Sequence, residues 1–397
     1  MGQGTPQGGG YKTGRARVAV AIPKFGLVGG GERFASELTE RLALSGEYEI
    51  HVFANKWVAR SGRITFHKVP MVRFPRFLRP LSFAFFAQKL VDSGGFDIVH
   101  AHDWIFRADV FTMHCVPHAG WAREVRRKHP SLFDRAITGL ERRMLASGSA
   151  SVFLPVSSIA LEAFRREYPS LAGRWQTMHP GVEYERFSRP DRAACRAGIR
   201  ERYGIKDSDL LLLFVGMNFE VKGLDAIIRA VSLARSRRPG AGIRLLVVGR
   251  GDEKRYGELA RSLGIGDAVI FAGKQAEGLE RYYRAADLFI MLSAFDTFGM
   301  VVLEGMAAGL PVIVSPNVGA KDLVEDGVNG FVLPDGKDAD EAAERVLQLL
   351  DALRREAMGK AAARTASLHD WDRLTGKMRI VYQEVLLKGC ALAGAGA

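Results

Sequence analysis

The chain has 397 residues, of which 47% are hydrophobic and 25% are charged, and it contains three cysteines. This length predicts two or three domains, and the composition excludes both a small disulfide scaffold and wholesale disorder. Cys115, Cys195 and Cys390 form no C-x-x-C pair and have no histidine at metal-ligand spacing. They are therefore expected to be free thiols in a reducing compartment.

Neither a signal peptide nor a membrane span is expected from the sequence. The first 16 residues are polar and glycine-rich, so we predict a flexible tail there and a second one at residues 389–397. No run approaches the ~18 consecutive apolar residues that cross a bilayer. We therefore expect a cytoplasmic protein.

Positive charge is concentrated in the first half of the chain. Residues 1–190 contain 27 Lys and Arg against 16 Asp and Glu, whereas the remainder has 29 against 28. A one-sided basic surface is typical of proteins that bind an anionic partner. The candidates are nucleic acid, anionic lipid headgroups and a phosphorylated acceptor.

Apolar strands alternate with amphipathic helices in both halves. The clearest pairs of strand and helix are 17–22 with 32–44, 210–216 with 223–235, and 243–249 with 252–263. Continuous apolar strands of this kind are typical of parallel sheets covered by helices on both faces. We predict an α/β protein with two Rossmann-like doubly wound domains that face each other across a cleft. The predicted domains cover residues 17–190 and 191–370, and a last helix, 371–388, is expected to pack back on the first domain.

The first strand leads into a glycine-rich turn that opens a helix. Gly29 and Gly30 belong to this turn, and glycine allows a ligand to approach the backbone closely. The turn lacks the G-x-G-x-x-G spacing of dinucleotide-binding folds, which disfavours a dehydrogenase. Gly249-Arg250-Gly251 follows a later strand in a similar way. Taken alone, either segment could be only a tight turn.

Residues 71–86 interleave three arginines with five phenylalanines, and residues 121–129 form a second basic cluster. Such segments suit an anionic membrane surface, where each cation near the headgroups contributes ~1 kcal/mol. Nucleic acid is an alternative on charge alone. Phe83, Phe85 and Phe86 could instead belong to the hydrophobic core.

Two histidines and an aspartate lie at the end of the strand that begins near Phe96. His100, His102 and Asp103 could be metal ligands, but no nearby spacing supplies the further ligands that a metal needs. The alternative is that the imidazoles only cap the end of the strand. Trp104 follows directly, and the next strand ends in Thr112-x-His114.

The connection between the two domains is predicted near residues 179–205, where the strand and helix pattern breaks. A new strand then starts at Leu210 and ends near Gly216. Lys222 stands in the loop before the following helix. A lysine there can reach a pyrophosphate, although a solvated loop lysine is the alternative.

Asp296 and Glu304 flank the start of a short predicted helix, 299–308, that lies between the apolar strands 287–292 and 311–314. The free N–H groups of such a helix suit a phosphate. The two carboxylates could hold the two ends of a ligand bridged by a diphosphate. The alternative is that Asp296 caps the helix and that Glu304 is solvated.

Asp338-Ala339-Asp340 matches the D-x-D pattern of metal-binding transferases. Asp338 followed three residues later by Glu341 favours a helix capping box instead. No metal is expected there.

The spacing from Asp296 to Glu304, followed by Gly-Met-Ala-Ala-Gly-Leu-Pro-Val-Ile, resembles the E-x7-E region of retaining glycosyltransferases of family 4, which have the GT-B fold. The resemblance spans roughly residues 17–385, and the chain is also similar to lipopolysaccharide core glucosyltransferases. It implies that Glu304 binds the nucleotide ribose and that Asp296 contacts the donor sugar. It also implies that Gly299, Met300 and Val301 supply backbone donors.

The resemblance implies roles for residues in other loops as well. Lys222 would bind the pyrophosphate, and His102 would approach the reacting sugar. The further donor-binding candidates are Gly29, Gly30 and Gly216. The candidates on the acceptor side are Asp103, Trp104 and His114.

Two positions depart from the pattern of the family. Asp296 stands where the family more often has Glu, and this shorter arm alters which sugar fits. Met217 stands where the family has Arg, so half of the usual cationic clamp is missing. Arg33 and Arg250 are the candidates to replace it.

The resemblance implies a retaining, metal-independent hexosyltransferase. Its expected donor is a nucleotide sugar such as UDP-glucose, and its expected acceptor is a glycolipid such as lipopolysaccharide core. We expect no cofactor and no nucleic-acid partner, and we expect the basic domain to bind an anionic membrane surface from the cytoplasmic side. The alternatives are a nucleotide-sugar epimerase of GT-B-like fold and a non-catalytic two-domain ligand-binding protein.

Overall fold

A computed structural model describes residues 14–394, except residues 28, 126–128, 149 and 276, and it leaves the side chains of residues 124, 125 and 389–394 undescribed. The strands are β1 (Ala16–Ala21), β2 (Lys24–Phe25), β3 (Tyr48–Ala54), β4 (Lys56–Trp57), β5 (Ile64–Lys68), β6 (Ile98–Ala101), β7 (Val110–Met113), β8 (Val152–Pro155), β9 (Arg174–Trp175), β10 (Leu210–Met217), β11 (Ile243–Arg250), β12 (Val269–Gly273), β13 (Leu288–Met291), β14 (Val312–Val314) and β15 (Gly330–Val332). The helices are α1 (Gly30–Ser45), α2 (Leu78–Asp92), α3 (His118–Gly120), α4 (Leu132–Ala146), α5 (Ser158–Glu167), α6 (Tyr184–Ser188), α7 (Arg192–Tyr203), α8 (Leu224–Arg237), α9 (Glu253–Ser262), α10 (Leu279–Ala285), α11 (Met300–Ala307), α12 (Ala339–Gln348), α13 (Ala352–Ser367) and α14 (Trp371–Gly394).

Two parallel sheets organise the fold. The first has the strand order β5-β3-β1-β6-β7-β8-β9, and the second has the order β12-β11-β10-β13-β14-β15. All pairings in both sheets are parallel, as the continuous apolar strands predict. Six consecutive residues of β10, from Leu210 to Val215, are buried. Full burial of one such aliphatic side chain contributes about 1.5–3 kcal/mol.

The strand order reverses at one point in each sheet. In the first sheet this point lies between β1 and β6, and in the second it lies between β10 and β13. Loops that leave the carboxyl ends of two such strands diverge and leave a crevice between them. The glycine-rich turn and the segment after Ala101 lie at the first crevice, and the loops that carry Lys222 and Asp296 lie at the second.

Helices α6 and α14 each pack on the domain opposite to the one that precedes them in the chain. The last helix, α14, packs on α1 and β6 of the first domain, where the Tyr382 hydroxyl lies 2.8 Å from His100 Nδ1. Helix α6 instead packs on α10 and α11 of the second domain. The chain therefore leaves the first domain before α6 and returns to it with α14.

The structure bears on the predicted cap of α12, on the cysteines and on the predicted end of the last helix. Asp338 does cap α12, accepting a hydrogen bond from the Glu341 N–H at 3.0 Å, whereas the Glu341 carboxylate binds Arg345 and does not complete the capping box. Cys115 and Cys195 are free thiols, and the Cys390 side chain lies outside the described residues. The last helix continues beyond the predicted end at 388 to Gly394, because Ala391, Leu392 and Ala393 favour helix.

Residues 1–13 of the first predicted tail and residues 395–397 of the second lie outside the described residues. Ala16 already belongs to β1 and residues 389–394 belong to α14, so the tail prediction is wrong at these positions. Among the described residues, no helix combines the length and the apolar character that crossing a membrane requires.

Candidate functional site

A cavity of about 740 Å³ opens between the carboxyl ends of the two sheets. The first domain contributes the turn before α1 and the start of that helix, and the second contributes the loops after β10 and β13 together with α11. The predicted donor-side residues that line the cavity are Gly29, Gly30, Gly216, Lys222, Asp296, Gly299, Met300, Val301 and Glu304. The sequence motifs of both halves therefore converge on one cavity.

Lys222 and Asp296 form an ion pair at the bottom of the second crevice. Lys222 Nζ donates to Asp296 Oδ2, and both side chains are only about one-fifth exposed, at 22% and 20%. The other carboxylate oxygen of Asp296 accepts a hydrogen bond from the Phe298 N–H at 3.2 Å. Asp296 is not the cap of α11, since the residue at the cap position is Gly299, and Lys222 is not a solvated loop residue.

Glu304 lies on the buried face of α11 and is only 4% exposed. Its Oε2 accepts a hydrogen bond from the Tyr283 hydroxyl at 3.0 Å, and its Oε1 accepts one from Arg33 Nη1 at 2.6 Å. Arg33 belongs to α1 of the first domain, and its Nη2 also lies 3.6 Å from Glu183 Oε2. The alternative of a solvated Glu304 is therefore wrong, and this carboxylate joins the two domains.

Tyr283 and Arg33 both stay protonated beside the Glu304 carboxylate. Burial, with the Glu304 carboxylate beside it, raises the pKa of Tyr283 well above its usual range, so the hydroxyl stays protonated and donates. Burial disfavours the charged Arg33, but Glu304, with smaller contributions from Glu183 and Glu37, outweighs this effect and raises the pKa of Arg33. Both partners are therefore permanent donors to Glu304.

Two glycines bring the backbone to the wall of the cavity. Gly249, at the end of β11, has φ +138°, and a Cβ there would lie 1.8 Å from the Gly216 carbonyl oxygen. Gly299 has φ +84°, and a Cβ there would lie 2.9 Å from Val318 Cγ1. No other residue type fits either position without strain, so the packing of the cavity wall requires glycine at both.

A second cavity of about 330 Å³ adjoins the first and contains the predicted acceptor-side residues Asp103 and Trp104, with His102 beside them. His114 lines both cavities, and its Nε2 lies 3.0 Å from His102 Nδ1. His102 Nε2 is buried and has no hydrogen-bond partner within the described part of the chain. A hydroxyl of a bound sugar would supply that partner.

Burial keeps this histidine cluster neutral. It lowers the pKa of His100 and of His114 to about 3. It also lowers the pKa of His102 well below its usual range, with His100 and His114 adding to the effect. Burial also raises the pKa of Asp103 to about 6. Neutral imidazoles can hydrogen-bond hydroxyl groups. Across the described ranges, no group of three or more His, Cys, Asp or Glu is arranged to hold a metal ion.

The two candidate replacements for the missing family arginine occupy different places. Arg33 lines the cavity and holds Glu304, whereas Arg250 is exposed and pairs in register with Met217 on the adjacent strand without lining the cavity. Met217 is 49% exposed and lines the cavity. Sequence reasoning missed Tyr283, because its contact with Glu304 depends on how α10 packs against the helix that follows β13.

The same two-domain arrangement occurs in solved structures. WaaG, described as a glycosyltransferase involved in lipopolysaccharide biosynthesis, superposes with a TM-score of 0.75 over 92% of this chain and 99% of its own, at 23% identity. Anabaena HepE in complex with UDP-glucose superposes with a TM-score of 0.67 over 93% and 99% of the two chains, at 17% identity. The fold is that of the GT-B glycosyltransferases.

Sequence comparison identifies the family within this class. Residues 28–186 match the family model described as Glycosyltransferase Family 4, and residues 196–365 match that of Glycosyl transferases group 1. The D-inositol 3-phosphate glycosyltransferase of Geodermatophilus obscurus is 30% identical over 312 residues, which cover 73% of this chain and 67% of that protein. The chain belongs to glycosyltransferase family 4 and is a glycosyltransferase, which confirms the resemblance seen in the sequence.

Proposed function

We propose that this glycosyltransferase moves a hexosyl group from a nucleotide sugar, UDP-glucose or a close relative, to a hydroxyl of a glycolipid acceptor such as lipopolysaccharide core. The transfer retains the anomeric configuration and needs no bound metal. The observation that carries the proposal is that Lys222, Asp296 and Glu304 line one cavity between the domains.

The donor fits the chemistry of the cavity. Its volume of about 740 Å³ lies within the range that holds cofactor-sized ligands. Glu304 is a buried acceptor for the ribose hydroxyls, and a ribose that binds there shares the carboxylate with Arg33. The free N–H groups at the start of α11 and the Lys222 ammonium face the diphosphate. The UDP-glucose complex of HepE supports the choice of donor.

Departure of the nucleoside diphosphate is the costly step, because negative charge develops on its leaving oxygen. Lys222 leaves Asp296 and neutralises that charge, which does the work that a metal ion does in other transferases. Asp296 is then free to accept hydrogen bonds from the hydroxyls of the sugar. His102, through its unpartnered Nε2, orients the sugar from the other side.

Retention follows from attack on the face that the leaving group vacates. The bond between the anomeric carbon and the diphosphate oxygen breaks while the acceptor oxygen bonds to the same carbon from the same side. The acceptor proton passes to an oxygen of the departing diphosphate, so no covalent enzyme intermediate forms. Exclusion of water by the two domains limits hydrolysis of the donor.

Variants of the two donor-binding side chains test the proposal. Glu304→Gln is expected to weaken UDP binding by at least about 10-fold, since it removes the charged acceptor of the ribose hydroxyls. Lys222→Ala is expected to lower kcat about 100- to 1,000-fold with melting temperature close to wild type. Isothermal titration with UDP and a transfer assay with UDP-glucose measure the two effects.

The matched controls are Glu141→Gln, a buried carboxylate outside the cavity, and Lys254→Ala, an exposed lysine on α9. Full activity of either site variant would contradict the assignment. Conversion of UDP-GlcNAc without an acceptor would instead indicate an epimerase. UDP binding without transfer to any acceptor would indicate a non-catalytic binding protein.

A further inference from the structure

A third cavity, of about 420 Å³, lies in the first domain beyond the histidine cluster. Five cationic side chains line it: Lys24, Lys56, Arg73, Arg76 and Arg79. Its apolar wall includes the buried rings of Phe83 and Trp104. The three arginines come from the basic segment 71–86, so this segment lines a cavity as well as an outer surface.

These five cations have no ion pair within the part of the chain that the structure describes, whereas many other arginines do. Arg41, for example, binds Glu37, and Arg107 binds Asp92. Asp103 is the one acidic residue that lines the cavity, and the lining therefore carries a formal excess of four positive charges. All five cations are exposed, so water screens much of their mutual repulsion, and an anion seated in the cavity relieves what remains.

The cavity lined by the five cations, here the cationic cavity, is connected to the cavity that contains Lys222 and Glu304, the donor cavity. The connection runs through the cavity that contains His102, the histidine cavity. Pro23, Lys24, Asp103 and Trp104 line both the cationic cavity and the histidine cavity. Gly31 and His114 line both the histidine cavity and the donor cavity. An acceptor seated over Asp103 and Trp104 therefore reaches toward the donor sugar at one end and toward the five cations at the other.

We infer that the cationic cavity binds a phosphate monoester group carried by the acceptor. The inference rests on the proposed function, since it assigns the substrate class of the same transfer. A phosphate monoester carries close to two negative charges and three acceptor oxygens, and arginine matches phosphate with two parallel hydrogen bonds. The recessed apolar wall suits the ring of a sugar or polyol beside the phosphate. Water-soluble sugar phosphates and phosphorylated glycolipids share this chemistry.

Binding of matched probes tests the inference and separates the two sources. The soluble arm compares glucose 6-phosphate with glucose, and the lipid arm compares micellar lipid A with its dephosphorylated form, each by isothermal titration. We expect the phosphorylated member of at least one pair to bind at least about 10-fold more tightly than its partner. The arm in which this occurs identifies the source of the phosphate.

Three double variants locate the binding site. Arg76→Gln/Arg79→Gln is expected to weaken binding of the phosphorylated probe by at least about 10-fold, and Arg76→Lys/Arg79→Lys is expected to restore part of it. Arg63→Gln/Lys89→Gln removes two charges of the same domain that are exposed, as Arg76 and Arg79 are, but line no described cavity, and it is expected to change nothing.

The inference is overturned if neither phosphorylated probe binds better than its partner, or if both glutamine variants lose equally. Titration of the same proteins with UDP tests the proposed function separately from the phosphate site. All three double variants are expected to bind UDP as wild type does. Failure of wild type to bind UDP would remove the proposed function, while the phosphate probes would still decide the inference.

Discussion

At the scale of single residues, Tyr283 contacts Glu304 without lining the donor cavity. Its hydroxyl donates to Glu304 Oε2 and holds the carboxylate that we propose binds the ribose. We expect Tyr283→Phe to weaken UDP binding about 3- to 10-fold and to lower the free energy of unfolding by about 1–2 kcal/mol, because a buried charged acceptor loses one donor. Isothermal titration and urea unfolding measure these changes.

The neighbouring Tyr282 provides the control for this prediction. Its hydroxyl lies 3.2 Å from that of Tyr203, away from the cavity. Tyr282→Phe should cost stability without changing UDP affinity. Equal losses of UDP affinity in the two variants would show that Tyr283 has no particular role in positioning Glu304.

Met217 is an uncharged residue in the wall of the donor cavity. It lines the donor cavity where the family has an arginine, and a guanidinium there would face the diphosphate. We expect Met217→Arg to tighten UDP binding about 3- to 10-fold, a gain that the nearby Arg250 limits by repulsion. Met217→Gln, of similar length but uncharged, is the control. Equal affinities of the two variants would show that a cation at position 217 does not contact the diphosphate.

At the scale of elements, β6, β7 and α14 meet in a buried network around His100. Its Nε2 lies 2.8 Å from Thr112 Oγ1, and its Nδ1 lies 2.8 Å from the Tyr382 hydroxyl. Burial, with a smaller contribution from His114, lowers the pKa of His100 to about 3 from 6.5. The folded state therefore binds this proton only near pH 3, whereas the unfolded state binds it below pH 6.5.

This difference predicts a dependence of stability on pH. The contribution of neutral His100 is complete above pH 6.5 and is lost as the pH falls toward 3. His100→Gln lacks this titration, so its deficit in unfolding free energy relative to wild type should shrink by about 2 kcal/mol between about pH 7.5 and about pH 5. Thr112→Val, which removes one hydrogen bond but keeps the imidazole, should show a constant deficit. A constant deficit for His100→Gln as well would contradict the prediction.

Part of the element order could be predicted from the sequence: the apolar runs 17–22, 210–216 and 243–249 are β1, β10 and β11, and the helical patterns that follow them are α1, α8 and α9. The loops that carry Lys222 and Asp296 follow from the same pattern, since parallel strands place them at one edge of a sheet. The contacts of Glu304 with Tyr283 and Arg33 could not be predicted. They join helices that are distant in sequence, and only tertiary packing brings them together.

The basic segment 71–86 shows a further limit of sequence reasoning. Its charge predicted an anionic partner, but the pattern did not reveal that Arg73, Arg76 and Arg79 line one cavity. Of the phenylalanines that could belong to the core, Phe83 is buried, whereas Phe85 is 55% exposed. Residues 126–128 of the second basic cluster lie outside the described residues.

At the scale of the whole molecule, the two domains meet through an apolar cluster that runs through both and through polar contacts around the donor cavity. The Ser157 hydroxyl donates to the Thr297 carbonyl oxygen at 2.6 Å, and the Ser158 N–H donates to Asp322 Oδ2 at 2.7 Å. Arg33 with Glu304 adds a third contact. Hydrogen bonds and ion pairs of this kind are exchanged with water more readily than an apolar interface is. We therefore expect the polar side of the interface, around the donor cavity, to open more readily than its apolar side.

The outer surface of the first domain leads to the last prediction. Phe74 is 84% exposed and Phe85 is 55% exposed, and both belong to the segment that also carries the three arginines. We propose that this surface binds anionic membranes, with the cations attracted to the headgroups and the rings entering the interface. The protein should pellet with vesicles of phosphatidylglycerol and phosphatidylcholine but not with phosphatidylcholine alone, and salt should release it.

Phe74→Asn/Phe85→Asn separates membrane binding from recognition of the acceptor phosphate. It removes the inserting rings but keeps all five cations of the cationic cavity. We therefore expect vesicle binding to fall about 10-fold or more, while binding of glucose 6-phosphate stays at its wild-type level. Leu353→Asn, at an exposed apolar side chain on α13 of the second domain, is the control and should bind vesicles as wild type does. Equal pelleting of wild type with neutral and anionic vesicles would reject an electrostatic attachment, and unchanged vesicle binding by the double phenylalanine variant would show that the rings do not enter the interface.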